Sequence, residues 1–85
     1  MRWKNFNEWK AYAVATIIQL KQKYEGDQKV VADLNYLLAK LRYLRGRDLS
    51  NFLLWCHTII RDDGVSELLD IIPTREEILP LIRGE

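Results

Sequence analysis

Apolar side chains recur at helical intervals from the start of the chain. Phe6, Trp9, Ala13, Ile17, Leu20 and Tyr24 are separated by 3, 4, 4, 3 and 4 residues. That spacing places them on one face of an α-helix, which Val14 and Ile18 widen. Asn5 or Asn7 suits the N-cap. Glu8, three residues after Asn5, gives a start resembling a capping box. Gly26 is expected to end this helix in the left-handed conformation.

Asp27 then caps a second helix, expected over residues 28–45. Val30, Leu34, Leu37, Leu41 and Leu44 are spaced 4, 3, 4 and 3. This is a heptad seam of about two heptads, shorter than a sustained coiled coil requires. It predicts antiparallel packing on the first helix across a short Gly26-Asp27 connection. Gly46 is expected to end the second helix.

Asp48 or Ser50 caps a third helix, expected over residues 49–62, with Leu49, Phe52, Leu53, Cys56, Ile59 and Ile60 facing inward. Leu54 and Trp55 fall outside that stripe. The helix is therefore apolar over much of its circumference and is expected at the centre of the core. Gly64 is its left-handed stop. Asp62 and Asp63 occupy the last turn, where the helix dipole disfavours negative charge, so either a basic group from the first half of the chain faces them or they are there for another reason.

The remaining residues are less regular. Ser66 is expected to cap a short helix carrying Leu68, Leu69, Ile71 and Ile72 and ended by Pro73. Thr74 and Glu77 form a T-x-x-E capping box that starts another short helix. Pro80 lies deep enough in that helix to predict a kink or break near residue 79, with a looser end at Gly84-Glu85. The pattern as a whole predicts one all-α domain over residues 1–85, a compact small bundle of three main helices plus a short, Pro-broken helical C-terminal segment.

Composition narrows the class. The chain has 85 residues, 48 % of them hydrophobic, an ordinary globular content. One cysteine excludes an internal disulfide framework, and one histidine with one cysteine cannot build a structural zinc site. No apolar run is long enough to span a bilayer, and the first residues lack the apolar core of a signal peptide. These features fit a reducing, cytoplasmic setting.

The net charge of +1 conceals an asymmetry. Residues 1–47 carry ten Lys/Arg and four Asp/Glu, while residues 48–85 carry three Arg and eight Asp/Glu. Either the two halves fold against each other and neutralise, or one of them presents a charged face to a partner.

Candidate chemistry is sparse. Cys56 and His57 are adjacent, but helical neighbours point about 100° apart and cannot act as nucleophile and base on each other. Cys56 reads as a small buried hydrophobe and His57 as a residue at the helix edge. The glycines are isolated and form no phosphate cradle. Asp62, Asp63, Glu67 and Asp70 lack the alternating spacing of a calcium loop. They read as an acidic patch available to a basic partner. No catalytic group, metal site or cofactor is expected.

The second helix carries one further stripe. Lys29, Tyr36, Lys40, Tyr43 and Arg47 are spaced 7, 4, 3 and 4, roughly 130–150° around the helix from the leucine seam. Arg42 and Arg45 lie nearby on other sides. Tyrosines interleaved with cations suit an acidic protein surface or the phosphates and bases of a nucleic acid. Alternatively, the tyrosines simply cover the helix and the cations are solvated. A helix-turn-helix reading of the second and third helices is weak, because the third helix is too apolar to read base edges. Arg2, Trp3, Lys4, Phe6, Trp9 and Lys10 mix aromatics with cations as interfacial membrane helices do. The stripe that follows instead makes Trp9 a core residue and leaves Trp3 as a rim anchor for a partner.

The expected function is therefore that of a small non-enzymatic interaction protein, such as a regulator, inhibitor or immunity-type factor. It would bind a larger protein through the tyrosine/cation face or the acidic patch. The alternatives are a nucleic-acid-associated protein using the same basic face, and a self-associating helical protein such as a homodimer.

Overall fold

A computed structural model describes residues 2–83, which form an all-α bundle. Four α-helices follow in order: α1 (Phe6–Lys23), α2 (Gln28–Arg42), α3 (Leu49–Asp63) and α4 (Arg75–Ile82). Two 3-10 segments, Gly46–Asp48 and Ser66–Ile71, lie before and after α3. The expected looser end at Gly84-Glu85 lies outside the described residues.

The inward stripes form the core as their spacing requires. Phe6, Trp9, Ala13, Ile17 and Leu20 of α1 are buried, as are Val30, Leu34, Leu37 and Leu41 of α2. Leu49, Phe52, Leu53, Cys56 and Ile59 complete the set from α3. Tyr24, Leu44 and Ile60 pack half-buried at its edge. Ile18 departs from expectation and is exposed. Trp9 lies at the centre, edge-on to Phe52 with centroids 5.8 Å apart. Its indole N–H donates to the Ile71 carbonyl at 2.7 Å, so the one polar atom of the ring is satisfied inside the core.

The helix ends show where local chemistry prevailed. Asn5 Oδ1 accepts from the Glu8 amide at 2.9 Å, and Asp27 Oδ1 from the Val30 amide at 3.2 Å, as predicted. Glu8 does not complete a reciprocal box, because its carboxylate accepts from the Lys4 amide. α1 stops at Lys23, short of Gly26. The Glu25 amide bonds back to the Gln22 carbonyl and the Asp27 amide to the Tyr24 carbonyl. This 3-10-type tightening satisfies the helix end without a left-handed residue. Among the described residues only Gly64 has a positive φ, at 72°. There the left-handed stop is realised, with its amide bonded to the Ile60 carbonyl.

α2 likewise ends at Arg42, three residues earlier than expected, through 3-10 bonds from Tyr43 and Leu44. Arg45 is extended, and Gly46 opens the next 3-10 turn instead of ending α2. Asp48 precedes α3 without a side-chain cap bond. The α1–α2 hairpin is antiparallel. Its turn lies at Tyr24–Asp27, while at the far end Lys10 Nζ of α1 donates to the Arg42 carbonyl of α2 at 3.3 Å.

The C-terminal part differs in detail from the pattern. Residues 66–71 form a 3-10 helix, of which Ser66 is the first residue and not the cap. Leu68 and Ile71 face the core, and Leu69 faces solvent. α4 begins at the full Thr74–Glu77 capping box and runs through Pro80 to Ile82 without the expected break. The proline removes a single intrahelical donor in a helix of only eight residues, and the Arg83 amide still reaches the Leu79 carbonyl at 3.1 Å.

Candidate functional site

The acidic half of the chain is largely engaged inside the fold, three of its carboxylates by cations of the basic half. Glu67, in the acidic half, accepts from Lys23 Nζ and, at 2.8 Å, from the Tyr24 hydroxyl. The Lys23 bond is the main reason its carboxyl is held down at about 2. Asp70 accepts from the Tyr12 hydroxyl, which raises the tyrosine's pKa. Glu77 is nearly buried and takes Arg2 in a two-toothed grip, which holds it at about 2. Asp62 is paired with its neighbour Arg61 at 2.9 Å.

Asp63 finds the basic partner that its position at the end of α3 calls for. Lys29 Nζ lies 2.7 Å from its Oδ1 and 2.9 Å from Asp33 Oδ2. The Asp63 side chain is only 2 % exposed, and its Oδ2 has no hydrogen-bond partner among the described residues. Asp33 pushes the Asp63 pKa upward, while Asp33 itself is lowered by Asp63 and Lys29. The two carboxylates thus share the single Lys29 ammonium.

The four predicted acidic residues are thus each engaged within the chain. Asp62 and Asp63 lie at the end of α3, whereas Glu67 and Asp70 are turned onto α1. They do not form one open patch. Trp3 is also corrected. It is buried at 5 % exposure beneath the Arg2 guanidinium, 4.2 Å from the ring centroid, and is part of the core instead of a rim anchor.

The tyrosine/cation stripe divides into three. Lys29 is held by Asp33 and Asp63. Arg47 lies beyond the end of α2, in the Gly46–Asp48 turn. Tyr36, Lys40 and Tyr43 remain together along α2. Lys40 Nζ is 5.2 Å from the Tyr36 ring centroid, and the Arg42 guanidinium is 5.6 Å from that of Tyr43.

This remnant meets a second apolar set that the stripe reading did not include. Trp55 of α3 stands edge-on to Tyr36, with centroids 5.2 Å apart. Between the helices lies an open groove of about 870 Å³. Ala39, Lys40, Tyr43 and Leu44 form one wall. Asn51, Phe52, Leu54, Trp55 and Thr58 form the other, and Asp48 lies in the turn that joins them. Tyr43 is 77 % exposed, Leu54 64 % and Trp55 47 %. The sequence carried a signal for this, since Leu54 and Trp55 fall outside the inward stripe of α3. It pointed to a helix at the centre of the core, whereas the structure leaves that side of α3 uncovered.

Cys56 lies on the opposite, buried side of α3. Desolvation pushes its thiol up to about 12, while His57 is exposed. Among the described residues no cluster of three metal-ligating side chains occurs, and no helix is long and apolar enough to cross a membrane. No protein-family model matches the chain, and no curated protein or solved structure shows significant similarity to it.

Proposed function

We propose that this protein is a small interaction module that works by binding, without chemistry of its own. In this reading the face formed by α2 and α3 docks a larger protein, as a regulator or inhibitor would. One observation carries the reading. Tyr43, Leu54 and Trp55 stay exposed beside Tyr36 around one groove, whereas the exposed aliphatic side chains Ile18, Leu69 and Leu79 do not line it. Exposed aromatic and aliphatic side chains gathered in one place, with cations at the rim, have the composition of a protein-docking surface. The acidic residues support it from the other direction, because their partners lie within the chain.

The test is affinity capture from the native host with the wild-type chain and with Leu54→Ser/Trp55→Ser. The expected result is a protein retained by the wild type and lost by the variant, with unchanged helicity and melting. It should then bind the purified wild-type chain directly. Retention of the same proteins by both would contradict the reading.

A further inference from the structure

We infer that the occupant of the α2–α3 face is an acidic amphipathic helix of another protein. This rests on the reading of that face as a protein-docking surface. It goes further in naming the chemistry of the ligand, and three observations lead to it.

The first is electrostatic. Lys40, Arg42, Arg45 and Arg47 are exposed at the end of the bundle where α2 turns into α3, and none of them enters an ion pair among the described residues. The carboxylates of the second half are mostly committed elsewhere, to Lys23, Lys29, Arg2, Arg61 and Tyr12. Of the four cations, Lys40 lines the groove together with one carboxylate, Asp48, and Arg42 lies over the Tyr43 ring at its rim, while Arg45 and Arg47 stand in the segment that joins the two walls. The surface therefore presents positive charge around an apolar floor, which a ligand carrying carboxylates beside an apolar stripe complements.

The second is the symmetry of a self-pair. In an isologous dimer through this face, each copy would bring the same cations to the same interface. The groove lining offers them one carboxylate in return, Asp48, so a second copy brings no acidic stripe to this face.

The third is backbone form. The described residues contain no strand, so an extended peptide has no sheet edge to join. Two adjacent helices with a groove between them receive a third helix along their ridges, the helix-in-groove mode. A polynucleotide could use the cations and stack bases on Tyr43 and Trp55, but it has no aliphatic surface to offer Leu54 and Leu44.

The experiment is a selection from a displayed library of random 16-residue peptides on the full chain, with counter-selection against Leu54→Ser/Trp55→Ser. Enriched peptides should combine Glu or Asp with Leu, Ile or Phe at helical spacing. Their affinity should fall about tenfold for Lys40→Glu/Arg47→Glu. In amide correlation NMR spectra they should shift the Trp55 indole signal. The Trp9 indole, bonded to the Ile71 carbonyl, should stay in place and show that each variant is folded. Groove-dependent peptides that are basic or neutral would overturn the inference and leave the docking reading intact. Absence of groove-dependent peptides would also overturn it. If a single-stranded oligonucleotide shifts Trp55 where peptides do not, the docking reading fails as well.

Discussion

The guanidinium of Arg2 closes on Glu77, with Nη2 3.0 Å from Oε1 and Nε 3.3 Å from Oε2. The same carboxylate accepts from the Arg2 amide at 3.1 Å and the Thr74 amide at 2.8 Å. Arg2 also donates to the Asp70 and Ile72 carbonyls. One acidic side chain thus ties the N-terminal segment to the start of α4, and Trp3 is buried beneath that tie. Glu77→Ala leaves several of these donors without their acceptor and is expected to cost about 1–3 kcal/mol. Urea unfolding checks it. A loss under about 0.5 kcal/mol, the size of an ordinary surface substitution, would show that the tie is incidental.

Acid should weaken the fold through Glu67 and Glu77. Both carboxyls are held at about 2, against an ordinary value of 4.5. A depressed folded-state pKa contributes stability that is present above the unfolded value and lost as pH falls through the folded one. Melting temperature is therefore expected to drop between about pH 4.5 and 2, and less so in Glu67→Gln. The Lys23–Glu67 part is exposed and should weaken further with salt. A flat profile down to pH 2 would contradict these pairings.

Asp63 offers a sharper test of the Lys29 pairing. Asn in its place keeps an acceptor for Lys29 and puts a neutral amide beside Asp33. Asp63→Asn is therefore expected to stay within about 1 kcal/mol of wild type, while Asp63→Leu, which offers neither, is expected to lose about 1–3 kcal/mol. Equal losses in the two variants would show that Asp63 acts as a simple anion for Lys29.

The inward stripes of α1, α2 and α3 could be read directly, because a 3.6-residue period leaves little choice about which side chains face the core. Capping was legible where a single side chain decides it, at Asn5, Asp27 and Thr74. It was not legible at Gly26 and Gly46, where backbone 3-10 bonds ended the helices first and glycine was not needed. Arg47 lies past the end of α2 whether that end falls at residue 45 or at Arg42. Trp3 lies outside any periodic segment, and its burial depends on Arg2 reaching Glu77 far along the chain, which no local pattern encodes. The groove was half visible. Tyr36, Lys40 and Tyr43 stood out by spacing, but their meeting with Leu54 and Trp55 is set by how α3 packs on α2. The intramolecular pairing of the acidic residues follows from the same tertiary arrangement.

The docking face is tested most directly by photo-crosslinking in the native host, with benzoylphenylalanine placed at Leu54 and, as a control, at the exposed Ala11 of α1. Both positions are exposed, and substitution at either is expected to change stability by no more than about 0.5 kcal/mol. The expected result is a discrete crosslinked protein from position 54, absent from position 11 and suppressed by Lys40→Glu/Arg47→Glu. No adduct at position 54, or the same adducts at both positions, would contradict the assignment of the α2–α3 face as the binding surface.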